Sequence, residues 1–434
     1  MKVLILTLGT RGDVQPFVAL ARGLANAGHE AVLAAPHRFE GFVRDRGVPF
    51  AGIDDGPMRL MDRAPESGTA VGDVATGGLA ATLALARKLP AMFTKVFDDC
   101  WSVAAEGPGA GADVLVHNGQ VMVGQHVAEK LGIPAVLALP IPVYVPTREF
   151  PWAGMAIPRW WPSALNRATF LGMKGPAMMF GRTVDRWRAT LDLPRRHGRH
   201  DPCRRPDGSP APVLHAISRH VLPRPADWPD TATVTGYWFL ADTEREQSSL
   251  PRALTEFLDA GEPPVFIGFG SMAGFAPAAT TATVLEATRR AGVRAVVGTG
   301  WGRLAADAAI DDVFVIDEVP HEQLFPQVAA VVHHGGAGTI AVAAAAGRPQ
   351  IVCPFVADQP FWGWRMYDLG VATKPIDQRR LNADQLAAAI HQATTDTALA
   401  TTAAELGTRI RGEHGVRDAV RRLETVSEAH PAKD

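Results

Sequence analysis

The chain has 434 residues, which at about 100–200 residues per domain is enough for two domains. Hydrophobic residues make up 47%, charged residues 20%, and the formal net charge is −2. This is a globular composition without the basic excess of a nucleic-acid binder. A local basic cluster, Arg195, Arg196, Arg199, Arg204 and Arg205, lies among His, Pro, Gly and Asp and reads as a surface loop. Cys100, Cys203 and Cys353 are too far apart for a disulfide framework or a metal-ligand spacing, which fits a reducing compartment and a cytoplasmic location. The opening apolar run, Val3 to Leu8, is short for a signal-peptide core. No later run reaches the roughly 18 apolar residues that would predict a membrane span. The apolar stretch 74–89 is broken by glycines and reads as a helix.

In chain order, Val3–Leu8 reads as a buried strand, followed by a glycine-rich turn and a helix from about Val14 to Asn26, stopped by Gly28. Ala31–Ala34 is the next strand. Segments 113–117 and 135–139 read as strands flanking a helix at 121–131. Continuous apolar strands alternating with helices predict a parallel sheet covered on both faces. Residues 146–212 are rich in Trp, Pro and Arg, and Val213–Ile217 returns to strand character. The pattern restarts at Val265–Phe269, with a helix at 277–291 and strands at 294–298, 313–316, 329–332 and 350–353. The predicted fold is α/β, with two facing, doubly wound, Rossmann-like domains and a ligand site in the cleft between them. Residues 1–222 form the first domain, 223–245 the connection, 246–415 the second domain, and 416–434 a terminal helix that can cross back to the first.

The segment 331–347, VVHHGGAGTIAVAAAAG, is a strand, a loop of small residues and a helix start. Glycines let backbone approach a ligand, and the free N–H groups and positive end of a helix suit a diphosphate. His333 or His334 can add a donor, and Thr339 another. The plainer alternative is a tight turn with no ligand. In PFVADQPFW, at 354–362, Asp358 and Gln359 follow a strand and can accept from and donate to sugar hydroxyls, or Asp358 can simply cap the helix. Ser271, after Gly268-Phe269-Gly270, can donate to a phosphate. Trp301 can pack on a nucleobase or in the core.

Four stretches together resemble the inverting glycosyltransferases of family 1, and within them the sterol glucosyltransferases and the bacterial enzymes that glycosylate glycopeptides and polyketides. They are GTRGDVQPFVALARGL, RPADWPDTATVTGYWF, HHGGAGT and PFVADQPFWGWRMYDLG, spread from residue 9 to 370. The resemblance implies the GT-B fold, an acceptor-binding first half, a nucleotide-sugar-binding second half, and no need for a bound metal or other cofactor. It also implies that His333 faces the donor diphosphate, lined by Gly335, Gly338 and Thr339. Asp358 and Gln359 would hold the sugar, and Val319 and His321 would lie near the base.

Inverting transfer needs a base for the acceptor hydroxyl and stabilisation of the departing diphosphate. Asp13, in the first loop, is the candidate base. If Asp13 capped the following helix, Pro16 at the third position could offer it no N–H, whereas Gln15 as cap would put Pro16 first and free Asp13. Arg11 can pair with Asp13 or a phosphate. His117, at a strand end, is a weaker base candidate, and His29 reads as structural. Tyr144, Phe150, Trp152 and Met155 fall in an apolar stretch that suits a sterol, triterpenoid or polyketide acceptor, or packs on its own domain.

The reading is transfer of a hexose from UDP-glucose to a hydroxyl of an apolar acceptor, by a monomer or homodimer. dTDP-deoxysugar transfer and a non-catalytic nucleotide-sugar-binding helper are the alternatives. A 2-epimerase would need no acceptor pocket. A dehydrogenase is disfavoured because Gly9-Thr10-Arg11-Gly12 is not the dinucleotide fingerprint.

Overall fold

The structure is a computed structural model that describes residues 1–56, 78–194, 201–240, 250–269, 277–298, 312–317 and 319–430. It divides into two compact units: Met1–Trp152 with Arg159–Thr243 and His414–Asp434, and Ala153–Pro158 with Glu244–Glu413. Ser271, Trp301, Arg195, Arg196 and Arg199 lie outside the described residues.

The first unit holds a seven-stranded parallel sheet: β1 (Lys2–Leu6), β2 (Glu30–Pro36), β3 (Phe50–Ile53), β4 (Val114–His117), β5 (Ala135–Leu139), β6 (Val213–His215) and β7 (Ala232–Val234). Its spatial order is β3-β2-β1-β4-β5-β6-β7. Side chains alternate across a strand, and β1 divides accordingly. Val3 and Ile5 join the core on one face, with Val14, Phe17 and Leu24 of the helix Arg11–Asn26. Leu4 and Leu6 join the core on the other, with Phe97, Cys100 and Val127. Helices therefore cover both faces, as apolar parallel strands require.

The second unit holds a five-stranded parallel sheet of β8 (Val265–Gly268), β9 (Ala295–Gly298), β10 (Val313–Ile316), β11 (Ala330–His333) and β12 (Gln350–Val352), ordered β10-β9-β8-β11-β12. Val265 and Ile267 pack on one face, and Phe266 with Val296 on the other.

Three features differ from the sequence-based expectation. The helix expected from Val14 starts at Arg11, with Thr10 as its N-cap and Pro16 inside it. β3 is a strand with no counterpart in the sequence reading, because its four residues, FAGI, are too few and too small to show a period. The stretch 223–245, read as a connection, contains β7, which pairs with β6 at the edge of the first sheet.

The terminal helix Gly415–Glu428 belongs to the first unit. Ala419, Val420 and Leu423 enter the core beside Phe17 and Leu24, and His29 Nε2 meets Glu424 Oε1 at 2.9 Å. His29 is thus a structural tie. The approach is close at two glycines. A Cβ on Gly23 would lie 2.1 Å from Val416 Cγ1, and one on Gly415 would lie 2.3 Å from the Tyr237 carbonyl oxygen. Backbone cannot yield as a side chain can. Gly415→Ala is therefore expected to destabilise the fold by about 1–3 kcal/mol, the usual cost of overpacking, read from the denaturant midpoint followed by tryptophan fluorescence.

Candidate functional site

Each sheet has one place where the chain reverses its direction of growth. In the first, β1 lies between β2 and β4. In the second, β8 lies between β9 and β11. The loops leaving such a pair of strands diverge and open a crevice at their carboxyl ends, where α/β proteins bind ligands. The loops after β1, β4 and β11 carry the polar groups described next.

In the first unit, β1 ends in Thr7, Leu8 and Gly9. Asp13 is the third residue of the helix, not its cap. Its Oδ2 accepts from the Thr10 N–H at 2.8 Å and from the Thr10 hydroxyl at 3.0 Å, the reach-back of a capping box. The Thr7 hydroxyl donates to the Asp13 carbonyl at 2.7 Å. Gln120, from the loop after β4, donates its amide to Asp13 Oδ1 at 3.4 Å. Asn118 holds this second loop: its amide nitrogen donates to the Leu8 carbonyl at 2.7 Å and to Gln120 Oε1 at 3.3 Å. Gly9 makes the arrangement fit. Its φ is +136°, and a Cβ there would lie 2.3 Å from Asp13 Oδ2 and 2.4 Å from Gln120 Oε1.

Burial raises the Asp13 pKa above its ordinary value, against hydrogen bonds from Thr10 and Gln120 that pull it down. A carboxylate that is desolvated yet oriented by donors is a competent general base. The other first-unit candidates are placed differently. His117 is 2% exposed, with Nδ1 against the Asn118 carbonyl at 3.0 Å. Burial drives its pKa down to about 4, so it is a neutral interior group that cannot reach an acceptor. Arg11 bonds Gln15 at 3.3 Å and lies over the Phe42 ring rather than pairing with Asp13.

Of the apolar candidates, Tyr144 donates its hydroxyl to the Gly119 carbonyl at 2.6 Å, which places it against the loop that carries Gln120. Phe150 packs between Phe170 and Trp228. Trp152 donates its indole N–H to the Val143 carbonyl at 3.1 Å, and its ring lies against Gly172. Phe150 and Trp152 thus serve their own unit's packing, whereas Met155 is 50% exposed.

In the second unit, β11 ends at His333, and Gly335, with φ +92°, turns the chain into the helix Ala337–Ala345. The Gly335 N–H donates to His333 Nδ1 at 3.1 Å, so Nε2 carries the proton and donates to Gln350 Oε1 at 3.0 Å. His333 is fully buried, and that burial, with His334 beside it, drives its pKa down to about 3. Both ring nitrogens are committed within the unit, so His333 orients the loop. His334 is half-buried, and its Nδ1 has no hydrogen-bond partner among the described residues. Burial lowers its pKa to about 4, so at neutral pH it holds one N–H. The helix that follows has no side-chain cap; Gly338 is exposed, with open space beside it, and Thr339 is half-buried in the first turn. Uncapped first-turn N–H groups attract anions.

The neighbouring loop 354–358 is folded around Gln359, whose Oε1 accepts from the Phe355 N–H at 2.8 Å and the Val356 N–H at 3.1 Å. Gln359 is 4% exposed, and its carbonyl oxygen shapes the loop. A Cβ on Gly335 would lie 3.1 Å from the Gln359 carbonyl oxygen, so the two loops pack closely. Asp358 is half-exposed at the helix start and accepts from the Trp362 indole N–H at 2.8 Å. Ala357 before it has φ +54°, a left-handed conformation that costs a non-glycine residue about 1–2 kcal/mol. Such strain is concentrated at functional loops. Val319 packs on the core, and the His321 ring stacks on Phe325 with centroids 4.5 Å apart.

The sequence reading missed Asn118, Gln120 and Gln350. The signal for the first two was present: HNGQ follows an apolar strand end, where amides are exposed to a crevice. Gln350 opens a strand and gave no such sign.

Residues 3–148 match the glycosyltransferase family 28 N-terminal domain, and residues 302–425 the erythromycin biosynthesis protein CIII-like C-terminal domain. A sterol 3-beta-glucosyltransferase of Emericella nidulans is 35% identical over 98% of the chain, which spans 30% of that relative's own length. Among solved structures, the kitacinnamycin glycotransferase superposes with TM-score 0.69 at 19% identity, covering 99% of both chains. A Streptomyces sp. SF2575 glycosyltransferase complexed with thymidine diphosphate gives TM-score 0.59 at 18% identity, covering 98% of this chain and 99% of that one. Two parallel-sheet units and these likenesses agree on the GT-B fold, carried by one segment similar to the family 28 glycosyltransferase N-terminal domain and another similar to the erythromycin biosynthesis protein CIII-like C-terminal domain.

Proposed function

We propose that the protein is an inverting glycosyltransferase that moves a hexose from UDP-glucose to a hydroxyl of an apolar acceptor such as a sterol, triterpenoid or polyketide. The observation that carries this is a pair of polar clusters, each at the direction reversal of its own sheet. One holds a desolvated carboxylate, the other an uncapped helix start with a histidine N–H beside it. The sterol glucosyltransferase relative supports the acceptor class and the sugar.

In this reaction the acceptor oxygen attacks the anomeric carbon as Asp13 takes its proton. The bond to the nucleoside diphosphate breaks, and its electron pair leaves with the diphosphate. Thr10 and Gln120 keep the Asp13 carboxylate aimed, and Gly9 lets the substrate hydroxyl approach. The N–H groups of Gly338 and Thr339, with the Thr339 hydroxyl and His334, stabilise the diphosphate charge as it grows. His333 and Gln350 fix the shape of that loop. Asp358 receives a sugar hydroxyl, with Gln359 holding its loop in place. A thymidine nucleotide donor is the second reading, favoured by the thymidine diphosphate in one structural neighbour.

Asp13→Asn keeps the shape and the Thr10 contacts but removes the base. It is expected to lower kcat by about 10²–10⁴-fold while donor affinity, measured by calorimetry, changes little. A loss of donor binding instead would reassign Asp13. Because the base acts deprotonated and its pKa is raised, the acid limb of kcat/KM should lie above the ordinary carboxylate range, and Asp13→Asn should abolish that limb. His334→Ala should weaken UDP-glucose binding by about tenfold or more, as for a lost hydrogen bond to a charged group, with an unchanged melting temperature. His333→Ala should instead lower the melting temperature.

A further inference from the structure

The described large hydrophobic side chains that stand exposed are concentrated in one stretch of the chain. Trp160 is 79% exposed, Leu165 48%, Leu171 60% and Met179 68%. All four belong to the first unit and follow one another along short helical turns that lead into the helix Lys174–Thr190. Among the helix positions whose burial is described, Gly175, Met179, Arg182, Arg186, Ala189 and Thr190 are exposed, and the first four, at spacings of four, three and four, share one face. Leu171 stands one turn before them. The opposite face holds Val184, Trp187 and Arg188, all buried. Arg188 is fixed there by Glu129 at 2.6 Å, and Trp187 by Asp98 at 3.0 Å, so the buried face is anchored to the unit.

Charge on this stretch is one-sided. Between 151 and 190 the acidic residues reduce to Asp185, which is half-buried, against Arg159, Arg167, Lys174, Arg182 and Arg186, while Arg188 is buried against Glu129. The chain as a whole carries −2, so the basic excess is local. Arg167 is 53% exposed although it reaches Asp227 at 3.3 Å.

Isolated exposed apolar side chains are ordinary, but a run of large ones bordered by arginine is not. A water-facing surface gains nothing from Trp160, Leu171 and Met179. A protein partner would be expected to present acidic groups to pair with the arginines and a pocket for each apolar residue. A lipid surface meets both needs at once, because apolar side chains enter the acyl boundary while arginine heads stay at anionic phosphates.

We infer that the face from Trp160 to Arg186 docks the protein on an anionic bilayer surface, with Trp160, Leu171 and Met179 entering the lipid and Arg182 and Arg186 at the headgroups. The inference stands apart from the transfer reaction, since it needs no donor, and none of these residues is assigned to catalysis.

The test is co-sedimentation of the full chain with vesicles of phosphatidylcholine alone and of phosphatidylcholine with about one-third phosphatidylglycerol. The wild type is expected to pellet with the anionic vesicles, to be released by salt, and to bind the neutral ones several-fold more weakly. Arg182→Glu with Arg186→Glu should weaken anionic binding by about tenfold or more, given the strength of each basic contact at a charged surface. Leu171→Ser with Met179→Ser should remove the part that resists salt. Circular dichroism checks that both variants fold, and turnover of a water-soluble acceptor should be the same in all. No pelleting with either vesicle would overturn the inference, as would pelleting that neither variant alters. A concentration-dependent dimer that Met179→Ser dissociates, without lipid binding, would give the face to a second copy of the chain instead. Loss of vesicle binding with turnover intact leaves the transferase reading untouched, and the reverse outcome leaves the lipid face untouched.

Discussion

In a parallel sheet all strands end on the same edge, and the placement of both polar clusters follows from that constraint. Backbone groups at that edge have no further strand to pair with, and at the point where the strand order turns, the loops draw apart. At that point in the first sheet the chain puts Gly9, Asp13, Asn118 and Gln120. In the second it puts His333, His334, Gly335 and Thr339. Neither cluster depends on a long loop. Each is positioned by hydrogen bonds from the strand or helix next to it.

The two clusters solve opposite electrostatic problems. In the proposed transfer, Asp13 must be basic enough to take a proton yet remain oriented. Burial raises its pKa, while Thr10 and Gln120 supply donors that keep the carboxylate from relaxing away. In the same proposal, the second cluster must attract negative charge without carrying a full positive charge of its own. Burial keeps both His333 and His334 neutral, so attraction is left to N–H dipoles, which lie fixed before any ligand arrives. The buried amide of Gln350 sets the tautomer of His333, which in turn accepts from Gly335. A change at Gln350 therefore reaches the loop without touching a ligand.

Much of the architecture was legible because buried parallel strands leave continuous apolar runs. Val3–Leu6, Val114–His117 and Val265–Gly268 stood out for that reason, and glycines at 28 and 292 marked helix ends. Strand order and the edge strands β3 and β7 were not legible, since short strands have no period and pairing is a long-range choice. For the candidate site, the glycine loop and Asp13 were singled out by local chemistry. Which histidine faces inward was not, because two adjacent histidines at a strand end differ only by the alternation of one residue. His333 continues the buried strand and His334 leaves it. The loop contacts of Gln359 were not legible for a related reason: an amide can serve its own loop as readily as a sugar, and only the structure shows its carbonyl oxygen held by Phe355 and Val356. The helix start at Arg11 escaped because Pro16 argued for a later one, while the Thr10–Asp13 capping box fixes an earlier one.

The most direct measurement is the anomeric configuration of the product, read by proton NMR after incubation of the protein with UDP-glucose and a sterol or polyketide alcohol. UDP-glucose is α-linked, so direct displacement with Asp13 as base gives a β-glucoside with release of UDP. An α-glucoside would contradict single displacement and the role given to Asp13, and donor that is neither bound nor consumed with any acceptor would contradict transfer itself.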